Sequence, residues 1–126
     1  MISRKWFKRG RVLVLLIVVI FGCPVTATVV VDVACNTSIE TWLPLYPGAE
    51  TVSVDYSFIR PRAMGSTLMV QQTPDDPETV EAFYYDHFEE LVSRGVPRGM
   101  GGTDFSAQEN PDADGSLILL YSRCVV

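Results

Sequence analysis

Apolar and polar positions follow different periods in different parts of the chain. From Val12 to Val31 no charged residue occurs, and a run of about 20 apolar residues is long enough to cross a bilayer core as a helix. From Thr51 to Phe58 the two classes alternate. Val52, Val54, Tyr56 and Phe58 share one side, and Thr51, Ser53, Asp55 and Ser57 the other, as expected for a strand with one covered face. Ser66–Thr73 reads as a second strand with Leu68 and Val70 inward. Thr103–Gln108 reads as a third, with Phe105 and Ala107 inward. Ser116–Val125 places Leu117, Leu119 and Tyr121 on one face and Ile118 and Leu120 on the other, so a central strand is expected there.

Between the second and third strands the period lengthens to that of a helix. Val80, Phe83, Tyr84, His87, Phe88 and Leu91 share one face at about 100° per residue, with Glu78, Glu81, Asp86 and Glu89 opposite. Phe83 and Phe88 are expected to be largely buried. Asp76 suits the N-cap and Pro77 the first helical position, where a missing N–H costs nothing. Glu78 and Glu81 sit near the positive end of the helix dipole and Arg94 near its negative end. Gly95 is the expected stop.

These elements predict an α+β fold: a small antiparallel sheet in ββαββ order, with one amphipathic helix packed on one face. An N-terminal transmembrane or signal helix precedes it. The expected divisions are a basic cytoplasmic segment over 1–11, the transmembrane or signal segment over 12–31, a polar linker over 32–42, and an extracytoplasmic domain over 43–126.

Charge separates these regions sharply. Arg4, Lys5, Lys8, Arg9 and Arg11 precede the apolar run, and no acid does. All fifteen acids and the remaining five bases lie from Asp32 onward, which gives that part a net charge of −10. A phosphate backbone would be repelled, so nucleic-acid binding is not expected. Bases flanking an apolar run stay on the cytoplasmic side, which puts the domain outside as a single-pass protein. Two alternatives end in the same compartment. Val25-Thr-Ala27 resembles a signal-peptide cleavage site, which would release the domain. Ile20-Phe-Gly-Cys23 resembles a bacterial lipobox with Cys23 as the acylated residue.

The stretch Leu43-Pro-Leu-Tyr-Pro-Gly-Ala49 is followed, after a strand, by Gln72-Thr-Pro-Asp-Asp-Pro-Glu-Thr-Val80 and then Phe83-Tyr84. Together they resemble a group of small bacterial lipoproteins and membrane-anchored proteins with a "YPGA" lead-in and a "T-x-D-x-P-E-x-V…F-Y" helix start. The match covers Leu43 to Gly95. That group often has Gly-Trp after the helix, whereas Val96 follows Gly95 here. The resemblance implies a fold and a location and carries over no catalytic residue.

Candidate chemistry is sparse. His87 is the single histidine; an imidazole on an apolar face serves as a catalytic or metal-binding group or as a structural one bonded to a backbone group. Tyr46, Tyr84 and Tyr85 with Trp42 could line a groove, with Tyr84 expected in the core and Tyr46 and Tyr85 partly exposed, which leaves Tyr46, Tyr85 and His87 as the candidate binding residues. Asn110-Pro-Asp-Ala-Asp-Gly115 fits the opening of a calcium loop, with Asn110, Asp112 and Asp114 as ligands, but Tyr121 stands where the bidentate Glu belongs. A hairpin turn accounts for the same residues. Gly99-Met-Gly-Gly102 lacks the Lys-Ser/Thr of a phosphate loop. Cys35 and Cys124 are natural disulfide partners in an oxidising compartment, with free thiols or a bond between chains as alternatives. No cofactor motif is present. The leading functional expectation is a membrane-tethered, non-catalytic domain that binds a protein or envelope component. A small hydrolase-like enzyme using His87 and a weak calcium or small-ligand sensor are the alternatives.

Overall fold

The computed structural model describes residues 4–124. Met1–Ser3, which begin the basic segment, and Val125, which ends the expected last strand, lie outside the described residues together with Val126. The first element is helix α1, Arg4–Trp42. Its part from Arg9 to Trp42 is long and apolar enough to cross a membrane by length and composition. By contact the chain divides into two compact units between Val31 and Asp32.

In the first unit the apolar side chains from Val12 to Phe21, and those of Val25, Val29 and Val30, are exposed. The Thr26 and Thr28 hydroxyls donate back to the Gly22 and Pro24 carbonyls, at 2.7 and 2.8 Å. Those bonds satisfy the two hydroxyls within the helix itself, as an apolar surrounding demands.

The second unit holds the rest. After the last turns of α1 come β1 (Glu50–Tyr56), β2 (Gly65–Thr73), α2 (Pro77–Ser93), β3 (Gly101–Glu109) and β4 (Ser116–Cys124). The strands form one antiparallel sheet in the order β1-β2-β4-β3. β4 is central, as its two apolar faces predict. The fold is α+β.

The linker expected over 32–42 is a correction: this segment is the end of α1. Cys35, Ile39 and Trp42 recur at helical spacing, and all three are buried. Asp32 does not interrupt the helix because Arg60 reaches it at 2.6 Å and the Met64 N–H donates to its other oxygen at 3.3 Å. Pro44 ends the helix, since it disfavours helical backbone at Leu43 and has no N–H to continue the ladder.

α2 starts and stops where the sequence places its signals. The Asp76 carboxylate accepts from the Thr79 N–H at 2.8 Å, and Pro77 occupies the first turn. At the other end the Gly95 N–H donates to Val92 and the Val96 N–H to Leu91, both at 3.0 Å, the paired bonds of a Schellman stop. Gly95 has φ +68° there. Val80, Tyr84 and Leu91 are buried, whereas Phe83 and Phe88 are only half-buried at the margins of the face.

The core lies between α2 and the sheet. Leu43, Tyr46, Met69, Val80, Tyr84, Ile118 and Leu120 form it, with Phe105 and Ala107 packed against it as predicted. The expected facing of β2 is reversed. Leu68 is exposed and Val70 half-buried, while Thr67, Met69, Gln71 and Thr73 point inward and are buried. Loop groups need these polar side chains. The Tyr46 N–H donates to Gln71 Oε1 at 3.1 Å, and the Arg62 N–H donates to Thr67 Oγ1 at 2.8 Å. In β1 only Val54 packs on the core; Val52 and Tyr56 remain exposed, as does Phe58 beyond the strand's end, and a bulge between Thr51 and Ser53 breaks the alternation.

Candidate functional site

The candidate binding residues Tyr46, Tyr85 and His87 do not converge. His87 Nε2 lies 2.8 Å from the Thr41 carbonyl, so the ring donates from Nε2. It stacks on Phe83, with centroids 6.4 Å apart. These contacts tie α2 to the last turn of α1, beside the Trp42–Phe88 contact. Tyr46 is 7% exposed, which corrects the expectation of a partly exposed ring. Its hydroxyl donates to Asp75 Oδ2 at 2.7 Å, and the ring meets Phe83 edge-on at 5.1 Å. Burial, reinforced by the Asp75 carboxylate, pushes this phenol up to about 12. Tyr85 sits on the other flank of α2, 59% exposed, with its ring 5.6 Å from that of Phe105.

The Asn110–Gly115 segment closes the β3–β4 hairpin. The Asn110 N–H donates to the Gly115 carbonyl at 2.9 Å, and its side-chain oxygen accepts from the Asp112 N–H at 3.0 Å. Asn110 is thus occupied in its own turn. Asp112 and Asp114 stand exposed beside it. Among the described residues no three His, Cys, Asp or Glu side chains gather closely enough to hold a metal ion. The Gly99–Gly102 segment is a largely exposed lead-in to β3. Ser38 Oγ donates to the Arg98 carbonyl at 2.9 Å, and Gly101 and Gly102 already belong to β3. Cys35 and Cys124 form a disulfide, with Cα atoms 5.9 Å apart and both residues fully buried. Cys23 is an exposed thiol in α1.

Arg62 is a residue the sequence did not single out. It is buried, has φ +56°, and donates from Nη2 to the Leu43 carbonyl past the end of α1. Its own carbonyl accepts from Asn36 Nδ2 at 2.8 Å. A cation at that helix end complements the dipole. Nε and Nη1 find no acceptor among the described residues, and burial lowers the guanidinium from its ordinary value. The space beside it, between Ile39, Met69 and Leu120, does not admit a particle the size of water. Arg62 therefore fastens the β1–β2 loop to α1 and offers no anion site.

The accessible relief lies on the flank of α2 next to β3. Glu78, Ala82, Tyr85, Glu89 and Val92 recur every three or four residues and are all exposed. Tyr85, Phe88 and Val92 form the apolar lining of an open groove of about 550 Å³, rimmed by Glu89 and Ser93. Toward the start of the helix a second, more polar depression of about 760 Å³ contains Asp76, Glu78, Ala82 and Glu109. No base lines either depression. Periodicity within α2 assigned Tyr85 and Val92 to neither the core nor the charged face; their stripe becomes visible only once β3 is placed beside it. On the far side of the sheet Leu68, Val70, Leu117, Leu119 and Tyr121 form a half-exposed apolar patch.

No family model, curated protein or solved structure matches this chain.

Proposed function

We propose that this chain is a membrane-tethered, extracytoplasmic module that binds a protein partner and performs no chemistry. The observation that carries the reading is the exposed apolar stripe that Tyr85, Phe88 and Val92 form along α2. Contiguous apolar side chains on an otherwise polar surface mark protein–protein contact sites. His87, the residue an enzyme would need, has its Nε2 committed to a backbone carbonyl. The tether is assigned to α1 as a single-pass anchor with its basic end in the cytoplasm, following the charge asymmetry across the apolar run. The helix runs unbroken through Cys23 and Pro24, so α1 has the length to act as one spanning anchor. The buried Cys35–Cys124 disulfide supports an oxidising compartment.

The reading is tested by capture of the tagged, full-length protein from its own membranes, wild type against the double variant Tyr85→Ser/Val92→Ser. Both side chains are exposed, so the fold should survive their loss. A partner recovered with the wild type and lost with the double variant is the expected result. Equal recovery, or a partner with neither, would overturn the assignment.

A further inference from the structure

The polar contacts of Asp32 set the height of a loop. Val12–Val31, about 20 uncharged residues, rises roughly 30 Å as a helix, which equals the hydrocarbon thickness of a bilayer. Asp32 is the first charge after that run. In a spanning α1 its carboxylate therefore stands in the outer headgroup layer, which is only about 5–7 Å deep. The β1–β2 loop meets α1 there. Arg60 Nη2 lies 2.6 Å from Asp32 Oδ2, and the Met64 N–H donates to Oδ1 at 3.3 Å. One turn farther along α1, Asn36 Nδ2 donates to the Arg62 carbonyl at 2.8 Å. The end of the sheet that carries this loop is held close to the same level, since Gly65 stands opposite Cys124 and Cys124 is bonded to Cys35.

This loop carries apolar side chains that the domain leaves uncovered. Tyr56 and Phe58 are exposed, and Ile59, at 75%, is more exposed than any large apolar side chain from Val12 to Val31. The loop is nevertheless fixed. The Ser57 N–H donates to the Ser66 carbonyl at 3.0 Å, the Arg62 N–H donates to Thr67, and Pro61 restrains the backbone between the two arginines. A loop fixed in advance loses little freedom when it binds. We propose that Phe58 and Ile59, with Tyr56 beside them, enter the headgroup and upper acyl layer of the outer leaflet and give the domain a second membrane contact besides α1. The inference rests on the reading of α1 as a single-pass anchor.

Position and charge together commit the loop to lipid. Lipid already fills the layer at the height of Asp32, so apolar side chains held there meet it without a further partner. Attraction to anionic headgroups is not what holds them. Arg60 is taken by Asp32, Arg62 is buried, and the chain from Asp32 onward carries a net charge of −10. The remaining force is burial of apolar surface, and amphipathic rings such as that of Tyr56 are usual at the membrane–water boundary. A contact of this kind survives added salt, which screens charges and does not weaken apolar burial.

The test uses the full-length chain in phosphatidylcholine nanodiscs, with and without phosphatidylcholine spin-labelled near the headgroup end of its acyl chain. A nitrobenzoxadiazole fluorophore is attached, in separate Cys23→Ser proteins, at Ile59→Cys and at Val52→Cys; the bonded Cys35–Cys124 pair takes no label. Val52 is also exposed but lies about 13 Å along β1 from Tyr56. Spin-labelled lipid should quench position 59 several-fold more than position 52, and to the same extent at low and high salt. A fluorophore at Phe58→Cys should lose its quenching when Ile59→Asp is added, because a carboxylate resists leaving water; both side chains are exposed, so the fold should survive. No quenching at 59, equal quenching at 52 and 59, or quenching lost at high salt would overturn the proposal. A photoreactive residue at 59 that joins a protein in native membranes, with no quenching in nanodiscs, would assign the loop to a protein partner instead. The wild-type Cys23 thiol, exposed in α1, reports on the anchor when labelled and exposed to lipid spin-labelled near its methyl end. Quenching at Cys23 with none at 59 strikes the second contact and leaves the anchor standing; quenching at neither strikes both.

Discussion

Breaking the Cys35–Cys124 bond should cost this domain a large share of its stability. The two cysteines are 89 residues apart in sequence. The bond joins the last turns of α1 to the end of the central strand, opposite Gly65 and Gly101 in the register. It closes nearly the whole of the second unit into one loop. In the chain-entropy model a closed loop of about 90 residues removes roughly 15 cal/mol/K from the unfolded chain, or about 4.6 kcal/mol at 25 °C. Marginal domains have only about 5–15 kcal/mol in total. The double variant Cys35→Ala/Cys124→Ala adds a small packing loss, because both side chains are fully buried. A destabilisation of about 3–5 kcal/mol is expected. Urea unfolding of the full-length protein in detergent measures it, followed by far-UV circular dichroism and by tryptophan fluorescence, to which the buried Trp42 contributes. The native spectrum should be unchanged, since the other bonds holding α1 to the β1–β2 loop remain. A loss below about 1 kcal/mol would refute the reasoning, as would alkylation of both thiols in native, unreduced protein.

Other consequences follow from single bonds. Tyr84→Phe removes the hydroxyl that donates to the Pro44 carbonyl at 3.0 Å and should cost about 1–2 kcal/mol in the same titration; no change would mean that carbonyl finds another donor. The Asp76 carboxyl is held below its ordinary 3.8, chiefly by the Thr79 N–H. A depressed acid contributes stability that is present above its unfolded value and lost as pH falls through its folded one. Thermal stability should thus fall more steeply below about pH 4 in the wild type than in Asp76→Asn, which keeps the cap and loses the charge; parallel curves would contradict this. For Tyr46 the sign is opposite, because its pKa is raised from 10 to about 12. Its contribution is intact below pH 10 and disappears as pH rises toward 12, while Tyr46→Phe should lack that part of the alkaline loss.

Much of the fold is legible because local signals and burial agree. Asp76, Pro77 and Gly95 frame α2, and Ile118 and Leu120 against Leu117, Leu119 and Tyr121 mark a central strand. The misreadings share a cause. In β2 the apolar residues Leu68 and Val70 suggested the inner face, but that face receives Thr67, Gln71 and Thr73. The loops crossing it bring backbone N–H groups that need acceptors, and hydropathy along one strand cannot register a need created by another segment. In 32–42 the charge at Asp32 suggested the end of a helix. Cys35, Ile39, Trp42 and Leu43, spaced i, i+4, i+7 and i+8, held the contrary signal in plain view. The burial of Tyr46 depends on Asp75 and Gln71 in the same way. The α2–β3 groove was the least legible feature, since Tyr85 and Val92 look like stray apolar residues until the register of β3 places its free edge beside them.

Site-specific photo-cross-linking in native membranes tests the central claim most directly. A photoreactive residue is placed at Val92, in the α2–β3 groove, and in a separate variant at Leu68, on the open face of the sheet; both positions are exposed. The account predicts a protein adduct from position 92 and none from position 68. An adduct from position 68 alone would move the binding surface to the open sheet face, and no adduct from either would contradict the reading of this domain as a protein-binding module.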